Sequence, residues 1–191
     1  VADGASEPDD RRASYTKTMS IEDLGYVEGF SFQGGTTVHG HTFAFPGPRD
    51  TAIDSARFLL VYRASPMLNE LANVRVSVEG VPVRGRQLSR DGGLHRLVVP
   101  IPAESFRDGG VDVTVQAALP TSDDRCMDER LAAAYLHILP QSGMTLDLAG
   151  RPGSLRDAWA LLPRTVTVSL PPGRLSERTF MAAWAAVDML Y

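Results

Sequence analysis

The chain has 191 residues, 43% of them apolar and 22% charged, with a formal net charge of −4. That content supports a sizeable core in a domain of ordinary size and excludes global disorder. A mildly acidic chain with no Lys/Arg run, whose basic residues are nearly all arginine, argues against nucleic acid or an anionic membrane surface as a partner. One cysteine, Cys126, cannot form an internal disulfide and leaves the compartment open. The start, Val-Ala-Asp-Gly, suits a processed or trimmed chain. No apolar stretch approaches the roughly 20 residues of a membrane helix.

Residues Val1 to Thr18 are small and polar and read as a flexible tail, 1–18. Ser20 to Leu24 fits a short capped turn. The β-pattern starts near Tyr26, Gly34-Gly35 is a turn, and Val38 to Phe45 is a strand with His39, His41, Phe43 and Phe45 on one face. Pro46-Gly47-Pro48 ends it, because proline cannot donate to a ladder. Next comes the stretch that organises the chain. Ala56, Phe58, Leu60 and Tyr62 alternate with Arg57, Leu59, Val61 and Arg63, then Ser65-Pro66 breaks the run. Both faces are largely apolar, so this strand belongs at the centre of its sheet. Val74, Val76 and Val78 alternate with Arg75, Ser77 and Glu79, which predicts one buried and one wet face. Val76 and Val113 should be buried, and Arg75 and Thr114 exposed.

Asp91-Gly92 and Asp108-Gly109 mark two turns, before strands at His95 to Ile101 and Val111 to Ala117. Leu119 to Arg130 is a charged loop. Leu131 to Leu139 is alanine-rich and reads as a helical turn or two, stopped by Pro140. Met144, Leu146 and Leu148 form a last strand. Short strands with turn signals between them predict a jelly-roll β-sandwich over 19–148. From 149 to 164 the chain reads as a linker, with Leu155, Trp159, Leu161 and Leu162 as an apolar cluster. Thr165 to Leu170 is a strand, and Ser176 caps a helix that carries Phe180, Ala183, Trp184, Val187 and Leu190 at helical spacing. Strand, turn and helix open an α/β unit that 165–191 leaves incomplete, so its apolar face needs a cover: the sandwich, another chain, or the rest of a parent protein.

With these pieces placed, the chain resembles the periplasmic B (regulatory) subunit of bacterial cellulose synthase, as an N-terminal fragment. The likeness runs from about Tyr26 to the C-terminus. It rests on the Ala56–Tyr62 strand with Ser65-Pro66-x-Leu68, on Val74-x-Val76-x-Val78-Glu79-Gly80-Val81-Pro82-Val83, and on Cys126-x-Asp128 followed by Tyr135 and the Ser142-to-Leu148 strand. The Leu155-to-Pro163 bridge into a strand and helix also fits. The resemblance implies a non-catalytic partner of a membrane-embedded glycosyltransferase. It also implies jelly-roll carbohydrate-binding domains alternating with flavodoxin-like α/β domains, so 165–191 would be the first strand and helix of one. The implied partners are the catalytic subunit and the glucan polymer, with no cofactor. The implied location is the periplasm, with membrane attachment only through parts of the parent protein outside this sequence.

A pyranose has an apolar C–H face and a ring of hydroxyl groups, so sugar sites need flat aromatic faces with polar neighbours. Tyr26, Tyr62 and Tyr135 are the candidates, against core or rim packing for each. Trp159 and Trp184 lie outside the sandwich and read as packing residues. His39 and His41 could start a zinc site only with a third ligand, and a structural pair is the better reading. Asp123, Asp124, Asp128 and Glu129 read as a solvated acidic loop in preference to a calcium site. Cys126 reads as a buried inert thiol. No nucleophile elbow, zinc-protease helix, phosphate loop or Cys-x-x-Cys occurs. The leading function is therefore glucan guidance and scaffolding for a synthase. The alternatives are a protein-only interaction sandwich and an accessory carbohydrate-binding domain of a glycoside hydrolase.

Overall fold

The computed structural model describes residues 14–34, 38–106, 109–121, 134–162, 173 and 176–188. Its strands are β1 (Tyr15–Ser20), β2 (Phe30–Gln33), β3 (His39–Pro46), β4 (Ile53–Ala64), β5 (Asn73–Val78), β6 (Val81–Gln87), β7 (Leu94–Ile101), β8 (Gly110–Ala118), β9 (Tyr135–Ile138) and β10 (Gly143–Leu148). Two helices follow, α1 (Leu155–Ala160) and α2 (Glu177–Asp188).

The strand with two apolar faces is central, as its sequence requires. β4 pairs with β7 on one side and with β9 and β10 on the other. β9 and β10 run end to end along β4: Ala64 faces Leu136, Leu59 faces Gly143, and residues 139–142 make a step between them. β1 and β2 run the same way along the far side of β10 and β9. Taken as lanes, the first sheet is β1/β2, β9/β10, β4, β7, and the second is β3, β8, β5, β6. The first strand, β1, lies beside the last, β10, and β3 lies beside β8. That wrapping is the jelly roll the turn spacing predicts.

The core lies between the sheets. Phe58, Leu60 and Tyr62 of β4 meet Phe43 and Phe45 of β3, Val74 and Val76 of β5, and Val113 and Val115 of β8, all fully or almost fully buried. Across the gap, the Phe45 and Phe58 ring centroids are 5.7 Å apart. Arg75 is exposed, while Thr114 is half-buried because its hydroxyl bonds that of Thr42 at 2.9 Å. The edge strand β6 has hardly a buried residue and carries Pro82, Arg84 and Arg86, which blunt it against further pairing. Glu79 and Gly80 both take positive φ, 48° and 78°, and make the two-residue turn into β6.

Two features differ from the sequence reading. Tyr15 to Thr18 are not tail: they begin β1 and pair with Leu148 to Thr145. Tyr135 to Ile138 are not helical. They form β9, because the backbone groups of this segment are taken by Phe30–Gln33 and Tyr62–Ala64, and that pairing overrides the helix propensity of neighbouring alanines. The bridge after Ala149, where the sequence reads Trp159 as a packing residue, is docked on the sandwich, with Leu161 buried against its core. The strand expected at Thr165–Leu170, Cys126 and the acidic residues 123–129 lie outside the described residues. α2 is capped by Ser176, which accepts from the Thr179 N–H at 3.1 Å. Its Phe180, Met181 and Trp184 are 52%, 58% and 62% exposed, so the sandwich is not what covers them.

Candidate functional site

The three candidate tyrosines fall in different surroundings. Tyr62 has no exposed surface. It shares the inward phase of Phe58 and Leu60 and lies in the core between the sheets, so it offers no face to a sugar. Burial raises its pKa, Arg86 opposes and Asp91 adds to that rise, and its hydroxyl has no partner among the described residues. Tyr26 is half-buried at the seam between β2 and β3. Its hydroxyl shares a 2.8 Å hydrogen bond with His41 Nε2, and its ring meets Phe30, His41 and Phe43 edge-on. Burial lowers the His41 pKa, which keeps the imidazole neutral in this aromatic box. Tyr26 therefore closes the side of the sandwich and shows only part of its ring.

Tyr135 is the open one, at 37% exposure. It opens β9 on the outer face of the first sheet, and register places its neighbours. Gln33 stands opposite it on β2, and Ser31 stands opposite His137. On the other side, Arg63 stands opposite His137 and Leu94 opposite Arg63. Ser31 Oγ and His137 Nδ1 lie 2.7 Å apart. An aromatic ring thus sits among an amide, a hydroxyl, an imidazole and a guanidinium on one sheet face. The Ser31–His137 contact is a cross-strand pair, and no carboxylate orients the ring among the described contacts. It is built to present polar groups, with none of the third partner that a serine nucleophile needs.

The same face continues as a hydroxyl field. Asp147 accepts from Thr16 Oγ1 at 2.8 Å and Ser55 Oγ at 2.7 Å, with Arg57 Nη1 at 3.4 Å. The Ser55 and Thr16 hydroxyl groups, in that order, hold its carboxyl below the usual range, with burial opposing and Arg57 helping. Thr18 and Thr145 lie alongside, 3.4 Å apart. Gly143 lets β1 approach this closely, since a Cβ there would stand 2.2 Å from the Met19 carbonyl oxygen. Towards β7 the face turns apolar, with Val98 51% and Leu94 45% exposed. The outer face of the second sheet differs: its positions include Gly40, Thr42, Ala44, Arg75, Asp112, Thr114 and Gln116, and no aromatic residue stands among them.

At the opposite end of the sandwich, α1 docks through a residue the sequence reading passed over. Asp157 is fully buried. Its carboxylate accepts from the Arg49 N–H at 2.8 Å, the Asp50 N–H at 3.1 Å and the Thr51 hydroxyl at 2.6 Å. Burial pushes its pKa up, but these bonds outweigh it and the net shift is down. Ser154 caps the helix by accepting from the Asp157 N–H at 3.0 Å. The Ser-x-x-Asp spacing is a helix-start signal, legible in the sequence. Half-buried Trp159 and exposed Leu155 then line a cleft of about 710 Å³ with Gly47, Arg49 and Gly109.

His39 lies on the same face of β3 as His41, and its Nε2 is buried without a partner among the described residues. Among the described residues no group of three His, Cys, Asp or Glu side chains could hold a metal ion. No helix among them is long and apolar enough to cross a membrane.

Two wrapped antiparallel sheets with one open polar and aromatic face define a jelly-roll module. The family model described as cellulose synthase BcsB, first CBM domain, matches residues 14–150, and the chain belongs to that family. No curated protein matches it in sequence. Among solved structures it is similar to a chain of the T13 IBDV viral particle, at 14% identity and TM-score 0.47, over 81% of this chain and 37% of that one. It is also similar to the insecticidal delta-endotoxin Cry8Ea1 of Bacillus thuringiensis, at 11% identity and TM-score 0.41, over 66% of this chain and 21% of that one. A third is the CBM36-1 domain of a multidomain xylanase from the hindgut metagenome of Trinervitermes trinervoides, at 8% identity and TM-score 0.33, over 70% and 95%. At those scores the likenesses add nothing to the assignment.

Proposed function

We propose that this chain is a non-catalytic periplasmic module of a cellulose synthase, which guides nascent glucan along the outer face of its first sheet and scaffolds the membrane glycosyltransferase. The observation that carries the reading is Tyr135: a partly open aromatic ring flanked by Gln33, Ser31, His137 and Arg63 on one sheet face. A pyranose ring laid on Tyr135 would find donors and acceptors on both sides, and the Thr16, Thr18, Ser55 and Thr145 hydroxyl groups further along. The part-open ring of Tyr26 is a secondary contact. Tyr62 has no part in it. The apolar strip at Leu94 and Val98 supports the scaffold role, since exposed aliphatic side chains on an edge strand suit contact with a protein. The rest of the α/β unit is the proposed cover for Phe180 and Trp184.

Guidance requires weak contacts, because a moving polymer cannot be gripped at one point. One stacked sugar contributes about 1 kcal/mol, by analogy with aromatic pairs. A millimolar constant needs about 4 kcal/mol, so several such contacts are required for even weak binding. Isothermal or NMR titration with cellohexaose is expected to give a dissociation constant of about 1 mM or weaker. Replacing Tyr135 with alanine should remove most of that binding, and no shorter sugars should accumulate. Cleavage of the hexaose would make the module an enzyme. Wild-type affinity in Tyr135→Ala would move the glucan elsewhere.

A further inference from the structure

The platform around Tyr135 carries more positive charge than a neutral sugar needs. Arg63 stands opposite His137 and Leu94, and Arg96 stands opposite Val61. The two arginines are therefore diagonal neighbours on one face, a relation that puts such side chains roughly 7–8 Å apart at their base. Both are exposed, and neither has a carboxylate partner among the described residues. Arg86, exposed on the adjoining edge strand β6, adds a third basic side chain beside them. Arg86 donates to the Arg96 carbonyl oxygen at 3.2 Å, which ties β6 to β7. Among the described contacts no acid at this end bonds Arg63 or Arg96. Asp91 accepts from the Gly93 N–H at 2.8 Å and lies 2.8 Å from His95 Nε2. Glu70 lies on the connection beside Gln87, whose side chain donates to its carbonyl oxygen.

A basic cluster in a chain of net charge −4 is a segregation of charge, and it raises the local self-repulsion. Neutral hydroxyl groups relieve none of that, because they bond a guanidinium about as well as water does. A carboxylate does relieve it. It accepts both N–H groups of an arginine fork in a charge-assisted, planar pair. The spacing of Arg63 and Arg96 lies within a Debye length of about 8 Å, so both act on one ligand group at physiological salt.

We propose that the platform selects a glucan bearing acidic substituents, with Arg63 and Arg96 as the selecting residues; this rests on the glucan-contacting reading of the Tyr135 face. The glucan backbone is recognised by the ring and its polar neighbours, and the acidic group by the two arginines. The test titrates the 191-residue chain with cellohexaose and with a cello-oligosaccharide of the same length whose C6 hydroxyl groups are oxidised to carboxylates. Poly-glutamate serves as an anion without sugar. The oxidised ligand should bind about ten-fold more tightly than the neutral one, and the gain should vanish in the doubly substituted R63Q/R96Q chain and near 0.5 M salt. The single variant R96Q, which leaves the residues flanking Tyr135 intact, should bind neutral cellohexaose about as well as the wild type while losing part of the gain for the oxidised ligand. Equal affinity for the two sugars would overturn the inference while leaving the glucan face intact. A gain that survives R63Q/R96Q, or equally tight binding of poly-glutamate, would also overturn it. No binding of either sugar would remove the glucan reading itself.

Discussion

Replacing Asp157 with alanine is expected to cost about 3 kcal/mol of stability, because the Arg49 and Asp50 N–H groups and the Thr51 hydroxyl lose their common acceptor. For a chain of this length that lowers the melting temperature by roughly 6–12 °C. The effect reaches beyond α1, since the same carboxylate fixes the loop between β3 and β4 and holds Leu161 against the core. Cutting the chain after Gly153 removes Asp157 and Leu161 together, so a stable sandwich should extend to Leu162. The pH dependence has a definite sign. The folded carboxyl has its pKa lowered below the ordinary 3.8, so its contribution is fully present above that value and is lost as pH falls through the lower, folded one. The stability gap between wild type and D157A should therefore be constant at neutral pH and narrow only below pH 3.8. Thermal unfolding at several pH values measures both. An unchanged melting temperature in D157A would mean that α1 is not clamped.

The second large effect lies in the core. Phe58 has no exposed surface, sits on the central strand and crosses the gap to Phe45. Phe58→Ala removes the ring from a site walled by both sheets, which cannot collapse around the space. The expected cost is about 3–5 kcal/mol. Val27, 66% exposed beside Tyr26, is the control, and Val27→Ala should change stability by less than about 0.5 kcal/mol. Denaturant unfolding of the two variants measures the difference. Similar midpoints would contradict the placement of the core.

The sheets were legible because their strands alternate cleanly. Phe58 and Leu60, Val74 and Val76, and Val113 and Val115 all point inward where a period of two puts them. The same phase put Tyr62 inward, so its burial follows from the pattern, whereas its residue type alone made it a site candidate. β9 was not legible. Four residues are too few to show a period, and Ala132 to Ala134 before it favour helix. β1 was hidden by Lys17, which breaks the alternation between Tyr15 and Met19. The platform was half legible. Tyr135 stood out as an aromatic residue, but Gln33, Ser31 and Arg63 become its neighbours, and Arg96 the neighbour of Arg63, only through pairing across distant strands, which the sequence does not contain. Asp157 is alike: Ser154 announces the helix start, but its partners lie more than 100 residues earlier.

The central claim is that glucan meets the outer face of the first sheet. Backbone amide shifts of the isotope-labelled chain, followed during a cellohexaose titration, test it directly. The largest movements should fall on Ser31, Gln33, Arg63, Tyr135 and His137, with smaller ones at Thr16, Thr18 and Thr145, and none on the second sheet. Movements concentrated at Thr42, Arg75, Thr114 and Gln116, or no movement at all at millimolar sugar, would contradict it.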